Sequence, residues 1–126
     1  KEKDMANTFK VVTLATAPSS AGTPDKIYTA GSGVTTVVLG LILTNVNTAQ
    51  VTAEVELVST TSNRAVANNT ANETAFLAKD VPIPVGSSVE LLSGNKVVLE
   101  TGDFLRVDCS VADKLSVALS IMEITS

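Results

Sequence analysis

Side chains that branch at the β-carbon dominate this chain and limit what it can fold into. Valine, isoleucine and threonine number 18, 5 and 16, which together make 39 of the 126 residues. Such side chains lose rotamer freedom in a helix and pack well on a pleated surface. With 44% hydrophobic and 17% charged residues, the chain can also bury a core. The composition therefore predicts an all-β domain.

The clearest strand signal is an alternation between residues 50 and 59. Apolar side chains occupy every second position there, at Val51, Ala53, Val55 and Leu57, whereas Thr52, Glu54 and Glu56 lie between them. Residues two apart share one face of a strand, so the pattern indicates one buried and one solvated face. The same argument predicts that eight side chains point inward: Val51, Val55, Leu57, Leu105, Val107, Val117, Leu119 and Ile121.

Other β-prone segments follow one another at intervals of about ten residues, with turn signals between them. They are 8–15, 26–30, 34–46, 76–83, 88–92, 96–100, 104–111 and 115–124. Short strands at such spacing predict an antiparallel β-sandwich or jelly-roll-like single domain of about eight strands. The domain is expected to cover residues 5–126. Lys1 to Asp4 precede an apparent native start at Met5 and are interpreted as residues added for expression.

Turn and loop residues add three local predictions. The sequence Ser93-Gly94-Asn95 predicts a tight turn that joins the strands on either side of it into a hairpin. Pro82 marks segment 76–83 as an edge strand or the end of one, because proline cannot donate to a sheet ladder. Residues 60–74 are rich in Asn, Thr and Ala and predict a long exposed loop.

Segment 34–46 is apolar on both faces, which is unusual for a strand in a small domain. Such a strand lies centrally in its sheet or has one face covered by another subunit. Surplus apolar surface usually marks a protein contact, so the segment predicts self-association. The candidate assembly surface consists of Val37, Val38, Leu39, Leu41, Ile42 and Leu43.

The composition argues against most enzyme classes. The chain has no histidine, no tryptophan and a single cysteine, Cys109, which argues against histidine-based triads, histidine–cysteine zinc sites and internal disulfides. A net charge of −4 and a pI near 4.6 argue against a nucleic-acid partner. The longest apolar stretch, 37–43, is too short to span a bilayer. We therefore expect no catalytic residues, no cofactor, no metal, no nucleic acid and no membrane.

Three local features could suggest chemistry but have plainer interpretations. Gly31-Ser32-Gly33 lacks the lysine of a phosphate loop and the third glycine of a dinucleotide loop, so it is interpreted as a turn. Glu100 and Asp103 flank a turn, where an aspartate usually accepts hydrogen bonds from nearby backbone N–H groups. Cys109 lies among apolar positions and is interpreted as a small core side chain.

Several phrases, in their order along the chain, resemble small virion structural proteins of tailed bacteriophages, especially marine and cyanobacterial phages. They are IYTAGSG at 27–33 with the following strand, KDVPIPVGSSVEL at 79–91, KVVLETGDFLRV at 96–107, and the ending at 115–125 with IMEI at 121–124. The resemblance implies a non-enzymatic virion protein that decorates or cements the capsid and binds the major capsid protein. It also implies a homo-oligomer, with a trimer favoured, and localisation in the virion.

Two alternatives remain open at this point. One is a tail, neck or fibre-attachment component of the same particles, which the sequence does not separate from capsid decoration. The other is a receptor- or carbohydrate-binding β-sandwich module, although aromatic residues make up only 3% of the chain. Sugar faces usually stack on aromatic side chains, so this composition favours the structural role.

Overall fold

The computed structural model describes residues 6–60, 73–92 and 94–125, and every regular element in them is a β-strand. The strands are β1 (Ala6–Ala17), β2 (Asp25–Thr29), β3 (Val34–Asn45), β4 (Val51–Val58), β5 (Thr74–Ile83), β6 (Ser88–Leu91), β7 (Val97–Leu99), β8 (Phe104–Cys109) and β9 (Leu115–Thr125). The predicted all-β fold is confirmed, and each predicted segment contains a strand whose ends differ by a few residues at most.

The strands form two antiparallel sheets that pack face to face. The first sheet has five strands in the order β1-β9-β3-β6, with β7 also pairing to β3, and the second has the order β2-β8-β4-β5. Along the chain, successive strands change sheet except from β4 to β5 and from β6 to β7. This winding is the strand order of a jelly roll. The structure is therefore an antiparallel β-sandwich of jelly-roll type, as predicted.

The core lies between the two sheets and is built from the alternate positions that the sequence pattern indicated. Of the eight predicted inward side chains, seven are at most 3% exposed, and Leu57 is partly buried against the same core. Cys109 is also buried, at 3% exposure, as its apolar neighbours predicted. Alternation alone was sufficient here because the two inner faces are almost wholly apolar.

Strand β3 lies inside its sheet, between β9 on one side and β6 with β7 on the other. The central position predicted for a strand with two apolar faces is confirmed. The predicted hairpin across residues 93–95 is wrong, because β6 and β7 both pair with β3 and lie end to end along it. A turn does form there, with the Asn95 N–H donating a hydrogen bond to the Leu92 carbonyl oxygen at 3.1 Å, but the long strand β3 offers both short segments a complete partner edge. Pro82 does lie in an edge strand, β5.

In the middle of the chain, one expectation from the sequence is wrong, and another concerns residues that lie largely outside the described ones. Glu56, expected on a solvated face, is only 7% exposed. Arg106 on the neighbouring strand β8 covers it and places Nη2 at 2.7 Å and Nε at 3.0 Å from its Oε1. The loop predicted for residues 60–74 falls largely outside the described residues, since 61–72 are not among them.

Candidate assembly surface

The outer face of the first sheet carries an exposed apolar row. Cross-strand pairing places Phe9 of β1 beside Met122 of β9, Met122 beside Val37 of β3, and Val37 beside Val98 of β7. Phe9 is 72% exposed and Val98 is 53% exposed, so both ends of the row are open to solvent. We call these four residues the apolar row. It crosses the whole sheet from one edge to the other.

Further exposed apolar side chains lie on the same face. Val11 is 64% exposed beside the row, two residues after Phe9 on β1, whereas Ile42 of β3 is 42% exposed beside Ala118 and is separated from the row by Ser120 and Gly40. Monomeric soluble domains rarely expose large contiguous apolar patches. Removing apolar surface from water is favourable by about 25 cal/mol per Å², so such a patch favours contact with another protein. The face therefore has the composition of a protein contact.

Charge separates the two outer faces of the sandwich. Among the described strand residues whose side chains point outward from the first sheet, Glu90 is the one that carries a charge. The outer face of the second sheet instead holds ion pairs, with Lys79 Nζ 3.2 Å from Glu54 and Arg106 paired to Glu56. A partly buried aromatic ring there also lies under a cation, with Lys26 Nζ 4.2 Å from the centre of the Phe104 ring. The outer face of the first sheet is thus poor in charge, whereas that of the second sheet is rich in it.

The residues predicted for assembly from segment 34–46 divide between the two faces of β3. Val38, Leu41 and Leu43 are 0% exposed and belong to the core, so they cannot contact a partner. Val37 and Ile42 point outward and contribute to the exposed face, and Leu39 lies partly buried at an irregularity in the pairing with β9. The surplus apolar surface inferred from the sequence is therefore one face of β3 and not the whole strand.

Sequence reasoning missed the other members of this surface. Phe9 and Val11 were visible as alternating apolar residues, but alternation alone does not say which face is buried. Val12 and Leu14, which follow Val11 along the strand, pack against the core instead. The sequence signal that could have identified the exposed apolar face is the lack of charge at alternate positions of both terminal strands.

A polar cluster lies on the inner side of the first sheet, at the end where β9 terminates. Tyr28 Oη donates a hydrogen bond to Glu123 Oε2 at 2.6 Å and lies 2.7 Å from the buried Thr36 hydroxyl. Lys10 Nζ lies 2.7 Å from the other oxygen of Glu123. Burial and the hydrogen bond to Glu123 raise the pKa of Tyr28 to about 12, and the hydrogen bonds from Lys10 and Tyr28 lower the pKa of Glu123. Such pKa values do not suit proton transfer near neutral pH. The hydrogen bonds and the ion pair of the cluster connect β1, β2 and β9 and so have a structural role.

The titration of Tyr28 gives a direct test of this cluster, because the chain has one tyrosine and no tryptophan. We expect the tyrosinate absorbance to rise with a midpoint of about 12 in the native protein, against about 10 after chemical unfolding. Since folding disfavours the phenolate, the stability that this interaction contributes is complete below about pH 10 and is lost as the pH rises through the native pKa. Glu123→Gln should lower the native midpoint. A wild-type native midpoint near that of the unfolded chain would show that the hydrogen bond is absent in solution.

A cavity of about 320 Å³ opens beside the second sheet. The carboxylates in its lining make hydrogen bonds and ion pairs with other groups of the chain. Asp108 Oδ1 accepts hydrogen bonds from the backbone N–H groups of Gly22 and Cys109, at 3.0 and 2.8 Å. Glu54, also in its lining, is paired with Lys79. In the described part of the chain no three acidic, cysteine or histidine side chains are grouped so that they could hold a metal ion. The cavity therefore has structural explanations for its carboxylates.

Asp103 has the structural role that its turn position predicted. Its carboxylate accepts hydrogen bonds from the backbone N–H groups of Glu100 at 3.0 Å and Thr60 at 2.8 Å. Next to it, Gly102 has a φ of 92°, and a β-carbon there would lie 2.7 Å from the Thr60 hydroxyl. Both residues fix the turn before β8 against the end of β4. Across residues 6–60, 73–92 and 94–125, no helix is long and apolar enough to cross a membrane.

Comparison with known proteins adds information about the fold. No family model matches the chain, and neither does any curated protein. Among solved structures, a chain from the appendages of Bacillus endospores, which form a family of disulfide-linked pili, is similar with a TM-score of 0.51. The two share 17% sequence identity over 99% of this chain and 91% of the other. At this identity the likeness shows a shared β-sandwich fold.

Proposed function

We propose that this protein is a non-enzymatic structural subunit of a bacteriophage virion, which self-associates and binds other virion proteins through the outer face of its first sheet. Decoration or cementing of the capsid is the role we favour. The observation that carries the assembly part is the apolar row, which crosses a sheet face where Glu90 is the one charged strand residue described. The virion part is supported by the sequence resemblance at 27–45, 79–91, 96–107 and 115–125.

Association of this chain is proposed to be non-covalent. The similar chain from Bacillus endospore appendages belongs to disulfide-linked pili, whereas the single cysteine here, Cys109, is buried in the core. Contacts between subunits must then come from apolar burial and backbone hydrogen bonds. Many copies of a modest contact on a symmetric particle give strong attachment through multivalency.

Replacing one aromatic residue tests the proposed surface. Phe9→Ser removes the most exposed large side chain of the apolar row, and we expect self-association and binding to purified phage capsids to weaken about tenfold or more, since burying a phenylalanine is worth about 1.5–3 kcal/mol. Phe76→Ser is the matched control, because Phe76 is 50% exposed on the outer face of the second sheet. Analytical ultracentrifugation measures self-association, and co-sedimentation measures capsid binding.

The result can also separate the alternatives. Binding to tail or neck assemblies in place of capsids would indicate that the protein is a structural component of the tail or neck. Equal effects of the two serine substitutions would contradict the assignment of the surface. A protein that stays monomeric at micromolar concentration and binds no phage particle would overturn the proposed function.

A further inference from the structure

The edges of the two sheets differ in how far they are protected against pairing with another chain. Edge strands expose unpaired N–H and C=O groups, and proteins usually shorten, bend or interrupt them. Strand β2 has five residues and an irregular register after Lys26, and β6 and β7 have four and three residues. Strand β5 contains Pro82 and an irregularity at which Asp80 has a φ of 52°. Three of the four edges are therefore protected.

The fourth edge, β1, lacks these devices over most of its length. It is 12 residues long, contains no proline, and keeps an unbroken register with β9 from Ala6 to Leu14, with one irregularity near its end, between Leu14 and Ala17. Its one charged residue, Lys10, is neutralised by Glu123 of its own chain. Among the described residues β1 pairs with β9 alone, so alternate backbone groups on its other side have no strand partner.

We propose that β1 is a docking edge for a second copy of this chain, whose own β1 pairs with it in antiparallel orientation across a twofold axis. The inference rests on the proposed function and deepens it by naming the partner and the contact. Two five-stranded first sheets would then form one continuous sheet of ten strands. The outer faces of both copies, each with its apolar row, would lie side by side on it and form a larger surface for other virion proteins.

A second copy fits this edge better than an unrelated strand because the edge is complementary to itself. An antiparallel pair of identical strands satisfies the same backbone groups on both sides of a twofold axis. Two lysines directly opposite each other are unfavourable, which argues against an axis at Lys10. Moving the axis by one residue centres it on Phe9 or Val11, and either register sets an exposed apolar side chain against its own copy. The smallest closed assembly is then a dimer, and not the trimer that the sequence resemblance implies.

Single cysteine substitutions at the edge test this pairing. Phe9→Cys, Val11→Cys and Val98→Cys each add one exposed thiol, and the native Cys109 is buried. Val98 is the control, since it lies on the same outer face but on the strand farthest from β1 in its row. We expect Phe9→Cys or Val11→Cys to form a disulfide-linked dimer at least about tenfold faster than Val98→Cys, because cysteines must lie within about 7 Å between Cα atoms to bond.

Hydrogen exchange provides a second measurement of the pairing, and it uses the unsubstituted protein. Amides of residues 6–14 that face away from β9 should gain protection as the concentration rises, and sedimentation should give a mass of twice 13.0 kDa. Equal cross-linking at all three positions, or no concentration-dependent protection of β1, would overturn the edge pairing.

The outcomes distinguish this inference from the proposed function. An oligomer that forms without cross-links at β1 would overturn the edge pairing alone. A monomer that still binds capsids would overturn the edge pairing and the self-association, and would leave the binding to virion proteins standing. A monomer that binds no virion component would overturn both.

Discussion

Val55→Asp is expected to unfold most of the protein at room temperature. Val55 is 0% exposed in β4, which lies inside the second sheet and pairs with β8 and β5. Its cross-strand neighbours are the buried Val107 and Ala78, so no polar group faces the new carboxylate across the sheet. Burying an unpaired charge costs several kcal/mol, about as much as the whole stability of a small domain.

The matched control is the same substitution at an exposed valine. Val85 is 56% exposed in the turn between β5 and β6, and Val85→Asp should leave the free energy of unfolding within about 0.5 kcal/mol of wild type. Urea unfolding followed by circular dichroism measures both variants. An unchanged midpoint for Val55→Asp would contradict the inward orientation of the alternate residues of β4.

Arg106→Met is expected to give the second largest effect, because it leaves Glu56 without its partner. Two hydrogen bonds join the guanidinium to Glu56 Oε1, and the Glu56 side chain is 9% exposed. The Arg106 side chain is 34% exposed, so water screens the pair in part. We expect a loss of about 2 kcal/mol in the free energy of unfolding, mostly from the uncompensated carboxylate.

Two further variants distinguish an unpaired buried charge from a simple loss of contact. Adding Glu56→Leu to Arg106→Met should restore part of the stability, because apolar side chains can replace a buried ion pair. Lys79→Met breaks the exposed pair with Glu54 and should change the unfolding midpoint little, since Lys79 is 56% exposed. A double variant less stable than Arg106→Met would show that the cost lies in packing and not in the charge of Glu56.

The candidate surface could be predicted from the sequence in part. The apolar character of β3 was evident, and Val37 and Ile42 do lie on the exposed face. The exposure of Phe9 was not predictable, since it depends on β1 lying at an edge and on β9 pairing beside it from the other end of the chain. A cross-strand row of four residues from four strands exists only once the neighbours of each strand are known.

The sequence by itself determined the all-β class, the approximate strand positions and most of the inward side chains. These depend on β-branched composition and on the two-residue repeat of a strand, which are local properties of the backbone. Only the tertiary structure decided that β6 and β7 share β3, that Arg106 covers Glu56, and that an exposed apolar row crosses the outer face of the first sheet. These features depend on which distant segments become neighbours, and periodicity within a strand carries no information about the identity of its partner.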